Sequence, residues 1–150
     1  MSKYKSQFTG PQIDAGILLK VSRDFTSQDI RSWNPGLIVL LAAIPNSFII
    51  PVQYIFEYTY GGQAFANGSN FGIHFLQNNG TIISPIPFDL LAGSALTSPE
   101  SWSQIGYAKS MFALSSDISK GKRVAFGYQN GVAFTNGNGT AKITLWYMLG

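Results

Sequence analysis

Cysteine is absent from the 150-residue chain and histidine occurs once, as His74. Without thiols there are no disulfide scaffolds, thiolate zinc sites or cysteine nucleophiles, and the pattern fits a chain made in reducing cytoplasm. One imidazole offers no multi-histidine metal site and little basis for a catalytic triad within a subunit. Its expected place is an outward position on a strand. Charge is scarce as well. Asp, Glu, Lys and Arg make up 11% of the residues, against about 25% in an ordinary soluble protein. The deficit is local: Glu57 is the only charged side chain between Ser32 and Phe88, and Lys142 the only one between Val124 and Gly150. A freely soluble monomer normally carries more surface charge. The composition therefore predicts either surface covered in an assembly, the favoured reading, or a thermostable sandwich with a neutral polar exterior. The net charge of +3 is too small and too dispersed to argue for direct nucleic-acid binding.

Long apolar runs are missing too. The stretch from Gly36 to Gly62 is the most apolar, but Pro45, Asn46, Ser47, Pro51 and Gln53 interrupt it well short of the about 20 residues a membrane helix needs. The N-terminal MSKYKSQFTG has no apolar core of a signal peptide, so no export by that route and no membrane partner is expected.

What is present reads as strands. Leu37 to Ile44 is apolar throughout, as in a strand covered on both faces. From Val52 to Tyr60 the even positions are Val, Tyr, Phe, Tyr and Tyr and the odd ones are Gln, Ile, Glu and Thr, a period of two that turns the even set inward. Ile44-Pro45-Asn46-Ser47 between these halves predicts a hairpin turn. Further strands are expected over Ala15–Val21, Phe71–Leu76, Thr81–Ser84, Trp102–Leu114, Arg123–Tyr128 and Ala141–Leu149, with Asn79-Gly80 as a tight turn. Gly61–Ser69 and Gln129–Thr140 read as a loop and a turn-rich connector. The main helical signal is Thr26 followed by Gln28 and Asp29, one short turn near residues 27–32, and Phe88–Ala92 reads as a single helical turn or an irregular edge. Seven or eight strands with recurrent turns predict an all-β antiparallel sandwich of jelly-roll or Greek-key type. Residues 11–150 form its single domain, and residues 1–10 a flexible arm.

Candidate chemistry is thin. The acids Asp14, Asp24, Asp29, Glu57, Asp89, Glu100 and Asp117 show no calcium-type clustering and no evident pair on one strand face. Lys120, Lys122 and Arg123 form a small basic cluster, read as a solvated turn. Asn67-Gly68-Ser69, Asn79-Gly80-Thr81 and Asn138-Gly139-Thr140 match the glycosylation pattern but read as turn chemistry. No cofactor and no metal is called for, and a hydrolase is disfavoured. Surface is the better candidate. If Ile143, Leu145, Tyr147 and Leu149 face the core, alternation puts Lys142, Thr144, Trp146 and Met148 on the opposite face. Trp146 and Met148, with Tyr4 and Phe8 of the arm, are the expected interface residues of a homo-oligomer, a trimer as first guess.

The segments Thr26-Ser27-Gln28-Asp29-Ile30, Asn34-Pro35-Gly36-Leu37-Ile38-Val39-Leu40, Ala43-Ile44-Pro45, Phe56 to Phe65 and the ending Asn138 to Tyr147 together resemble small virion proteins of tailed bacteriophages. The resemblance spans Thr26 to Gly150, and departs from the pattern at Pro45-Asn46-Ser47, where a Gly-rich hairpin is expected. It implies a non-enzymatic jelly-roll or sandwich module made in the host cytoplasm and placed in the virion as head decoration, head fibre or auxiliary capsid protein. Its partners are then the major capsid protein or neighbouring structural subunits. The alternative is a sandwich that binds cell-surface sugar or a receptor, with aromatics such as Phe65 and Trp102 stacking on the ligand.

Overall fold

The computed structural model describes residues 18–33, 37–47, 49–76, 82–85, 93–107, 121–127 and 131–150. In chain order these form β1 (Leu19–Phe25), α1 (Ser27–Arg31), β2 (Ile38–Leu41), β3 (Ile49–Thr59), β4 (Phe65–Asn67), β5 (Gly72–Leu76), β6 (Ile82–Pro85), a 3-10 turn (Gly93–Thr97), β7 (Trp102–Tyr107), β8 (Arg123–Gly127), β9 (Phe134–Asn136) and β10 (Thr140–Leu149). The helical signal is confirmed in detail. Thr26 caps α1 through a reciprocal box, its hydroxyl accepting from the Asp29 N–H at 3.1 Å while Asp29 accepts from the Thr26 N–H at 2.9 Å.

Pairing defines the topology. β1 pairs antiparallel with β10, β2 with β8, β3 with β7 and β5 with β6. These are nested pairs, as in one long hairpin. Successive pairs fall alternately into two sheets, of order β1-β10-β3-β7 and β2-β8-β5-β6. A nested hairpin rolled in this way is a jelly roll. β4 and β9 form a separate two-stranded ribbon.

The space between the sheets is filled by rings. Phe126 of β8 stacks on Phe25 at 5.3 Å and on Phe56 at 5.6 Å, so it ties the two sheets face to face. Trp33, just past α1, is fully buried with its ring 5.2 Å from Phe25, 5.1 Å from Phe71 and 5.2 Å from Phe126. Together with buried Ile30 it makes α1 a plug for one end of the sandwich. Arg31 secures the plug by donating to the Gly137 carbonyl at 2.7 Å and the Asn136 carbonyl at 3.3 Å.

Several expectations need correction. A turn does form at Pro45-Asn46, with Ser47 N–H donating to the Ile44 carbonyl at 3.2 Å and Asn46 at φ 60°. The strands on either side are not a hairpin, however: β2 lies in one sheet and β3 in the other, because a local reversal is equally able to carry the chain across the sandwich. β2 is an edge strand with Leu40 buried and Ile38, Val39 and Leu41 half-buried, so neither of its faces stands fully open although one of its backbone edges has no partner strand among the described residues. In β3 the inward set is Tyr54, Phe56 and Tyr58, as expected, but upstream it becomes Ile49 and Pro51. A bulge opposite Trp146 and Tyr147 inserts Val52 and switches the phase. The first strand begins at Leu19 and runs to Phe25, further along than Ala15–Val21. The expected loop Gly61–Ser69 and connector Gln129–Thr140 meet each other as β4 and β9, where buried Phe65 and Phe134 pack at 6.0 Å. The Asn79-Gly80 turn and Phe88–Ala92 lie outside the described residues.

Candidate functional site

Alternation on the first sheet settles which side chains line its outer surface. Inward go Phe25, Ala141, Ile143, Leu145, Tyr54, Phe56 and Tyr58. Tyr147 and Leu149 also pack against the core, as the sequence pattern requires. On each strand the alternate positions face out, and strand register places them in three cross-strand rows. Lys20, Trp146, Gln53 and Tyr107 form one, Ser22, Thr144, Ile55 and Ile105 the next, and Asp24, Lys142, Glu57 and Ser103 the third. Directly opposed residues of this kind touch across the sheet. In the middle row Ser22 and Thr144 share a hydroxyl–hydroxyl bond of 3.1 Å.

Charge is held by Lys20 on edge strand β1 and by the third row, while the apolar groups run from Trp146 and Ile55 on the inner strands to Ile105 and Tyr107 on edge strand β7. Ile105 is 54% exposed and Tyr107 61% exposed, beside half-buried Ile55 and Trp146. Two of the expected interface residues thus lie near the patch, but less openly than alternation alone implies: Trp146 and Met148 are both half-buried. Tyr4 and Phe8 lie outside the described residues. Ile105 and Tyr107, which dominate the patch, were not singled out by the sequence. Their signal was the alternation Ser103, Ile105, Tyr107 in a segment whose polar Gln104 and Gly106 obscured the inward face.

The third row brings together two acids far apart in sequence. Asp24 and Glu57 flank Lys142 in a shallow depression completed by Thr59 and Thr140. All three charged side chains are exposed, and the acids stand two strand spacings, about 10 Å, apart. An open depression of this sort provides none of the water exclusion that acid–base catalysis exploits. Among the described residues no group of three or more His, Asp or Glu side chains is placed to hold a metal, and no helix is long and apolar enough to cross a membrane.

His74 is not outward in the expected sense. It is 3% exposed on β5, every residue of which is buried. Its Nε2 lies 3.3 Å from the Gly127 carbonyl, while Nδ1 is buried without a hydrogen-bond partner. Burial pushes its pKa below the ordinary histidine value, opposed in part by the Gly127 contact. The aromatics proposed to stack on sugar are also engaged inside. Phe65 is 2% exposed, and Trp102 packs on Phe56 at 5.3 Å while its indole N–H donates to the Ala95 carbonyl at 2.9 Å. Of the basic cluster, Lys122 and Arg123 are half-buried, and Lys120 lies outside the described residues.

No protein-family model matches the sequence, and neither does any curated protein. One solved chain with a similar structure is the capsid of Ralstonia phage GP4, 13% identical, with 89% of this chain and 85% of that chain covered and a TM-score of 0.49. On the geometry alone, the outer surface of the β1-β10-β3-β7 sheet is suited to contact: a four-stranded face whose apolar groups reach from the inner strands to the β7 edge, with the charged groups in the third row and at Lys20 on β1. Such patches mark protein-interaction surfaces.

Proposed function

We propose that the chain is a non-enzymatic structural component of a bacteriophage virion, of the capsid decoration, auxiliary capsid or head-fibre type. It acts as one sandwich domain, residues 11–150, carrying an N-terminal arm, residues 1–10, and assembles through its neutral sheet faces. Its partners are other virion proteins and further copies of itself, a trimer being the first expectation. The observation that carries this reading is the outer sheet face, where Ile105 and Tyr107 stand exposed beside Ile55 and Trp146 and no charged side chain lies between these four. The jelly roll supports it, being an architecture of viral capsid domains as well as of lectins, and so does the sequence resemblance to small phage virion proteins. The sugar-binding alternative has lost the aromatics named for it, since Phe65 and Trp102 are committed to packing.

Quantitative mass spectrometry of purified particles tests the role: a stoichiometric copy number is expected, and absence from the particle refutes it. Light scattering on wild type and on Trp146→Glu tests the surface. A charge placed beside Ile55 and Tyr107 should weaken self-association at least tenfold, and a variant that assembles like wild type removes Trp146 from the interface.

A further inference from the structure

The two sheets end in β1, β7, β2 and β6, and three of these edges are defended. β1 carries Lys20, Arg23 and Asp24. β2 is four residues long with a register shift between Val39 and Leu41. β6 is also four residues long and ends in Pro85. Charge, shortness, bulges and proline are the usual devices that stop a sheet edge from recruiting another strand. β7 has none of them. Its six residues, WSQIGY, contain no charge and no proline, and its register with β3 is unbroken from Gln53–Tyr107 to Tyr58–Trp102. Among the described residues no strand lies beyond it.

We infer that β7 is an assembly edge, paired antiparallel with β7 of a second copy about a twofold axis. The inference rests on the reading of this chain as an assembling structural protein, and it names the contact. A second copy is the fitting occupant because an antiparallel pair of identical strands is self-complementary, so each backbone group finds its counterpart and the contact closes. Pairing β7 instead with β1 of another copy would be a head-to-tail contact, which closes only as a ring and otherwise runs on as a filament, and it would bring Lys20, Arg23 and Asp24 against an uncharged edge. Centring the axis on Ile105 sets Ile105 against Ile105 of the second copy on the outer face and Tyr107 against Ser103. The two four-stranded sheets then merge into one of eight strands, and the middle row of Thr144, Ile55 and Ile105 continues as itself across the axis.

The test is solution mass by multi-angle light scattering, with hydrogen exchange on the wild type. Two copies are expected, or six if the twofold contact is combined with the threefold one. The β7 amides should become at least tenfold more protected as concentration rises through assembly. Ile105→Lys or Tyr107→Lys should halve the assembled mass with unchanged circular dichroism, whereas Val132→Lys, at a position 62% exposed whose backbone bonds to Ser69 and not to β7, should not. A wild type of one or three copies, β7 amides whose exchange ignores concentration, or folded lysine variants of unaltered mass would each overturn the edge contact. A trimer that is present in particles would refute the edge while leaving the virion role standing. A β7-paired dimer absent from particles would do the reverse.

Discussion

Lowering the pH should destabilise the fold through one group, His74. It is the sole histidine, so no other side chain with an ordinary pKa near 6.5 competes in the window between pH 5.5 and 7. In the folded protein the ring is 3% exposed and its pKa is lowered, chiefly by loss of solvation. In the unfolded chain it titrates near 6.5. Below that value the unfolded state binds more protons than the folded one, so stability rises with pH and is lost as pH falls. The slope approaches about 1.4 kcal/mol per pH unit, the limit for one proton, until the folded-state pKa is reached. Urea melts at pH 7.5, 6.5, 6.0 and 5.5 should show a falling midpoint at constant m. His74→Leu, which places an apolar group beside Leu76 and Ala125 on the same sheet face, should flatten the profile and remove an imidazole Nδ1 that has no partner. A wild type whose stability is level across this range, or a His74→Leu protein with the same slope, would refute the buried neutral imidazole.

Two further substitutions probe packing and turn. An alanine Cβ at Gly106 would fall 2.0 Å from Cε1 of Tyr54, which lies across the glycine from the neighbouring strand; Gly106→Ala should cost about 1–3 kcal/mol and lower Tm by roughly 2–4 °C for each of these. In a double-mutant cycle Tyr54→Leu should relieve that cost by more than about 0.5 kcal/mol, and strict additivity would contradict the contact. Asn46, exposed at φ 60°, should tolerate glycine but lose about 1–2 kcal/mol on replacement by valine, whose branched Cβ is strained in the left-handed region. Equal thermal stability of Asn46→Val and wild type would place the turn elsewhere.

The sequence made some of this fold readable because certain physical constraints are local. Alternation in β3 and β10 survives in the structure because one face of each strand is buried in the core, and a one-residue slip would expose the whole apolar set. The Thr26 cap was readable for the same reason, since its partners lie within three residues. Pairing was not readable. Pro45-Asn46 specifies that the chain turns, but whether it returns to the same sheet depends on what β2 and β3 find later, and β8 and β10 arrive about 80 to 90 residues downstream. Alternation put His74 on the strand face opposite Ile73 and Phe75, but that this face is itself buried could not be read from β5 alone, and Trp33 was passed over because a lone residue has no periodicity. Burial of Trp33 comes from the end of the sandwich closing on it, with Phe25, Phe71 and Phe126 arriving from three different strands or bridges.

The same distinction between local and distant constraint explains why the surface, and not a pocket, is where function is to be sought. An inward-facing strand position is fixed by the core and leaves little latitude in sequence. The outer rows of the β1-β10-β3-β7 sheet are under no such constraint, since a solvated face is satisfied by any polar residue and ordinarily fills with charge. Here it holds Ile55 and Trp146 on the inner strands and Ile105 and Tyr107 on the β7 edge, and it gathers Asp24, Lys142 and Glu57 in one row. Leaving a large apolar side chain in water forgoes roughly 1.5–3 kcal/mol relative to burying it, and edge strand β7, beyond which no strand lies among the described residues, offers a line of backbone groups that another strand can pair. Neither feature helps the folding of the isolated chain. Both become favourable at once when a neighbouring subunit covers them, so the scarcity of charge in the composition and the undefended edge in the structure point to the same event, assembly.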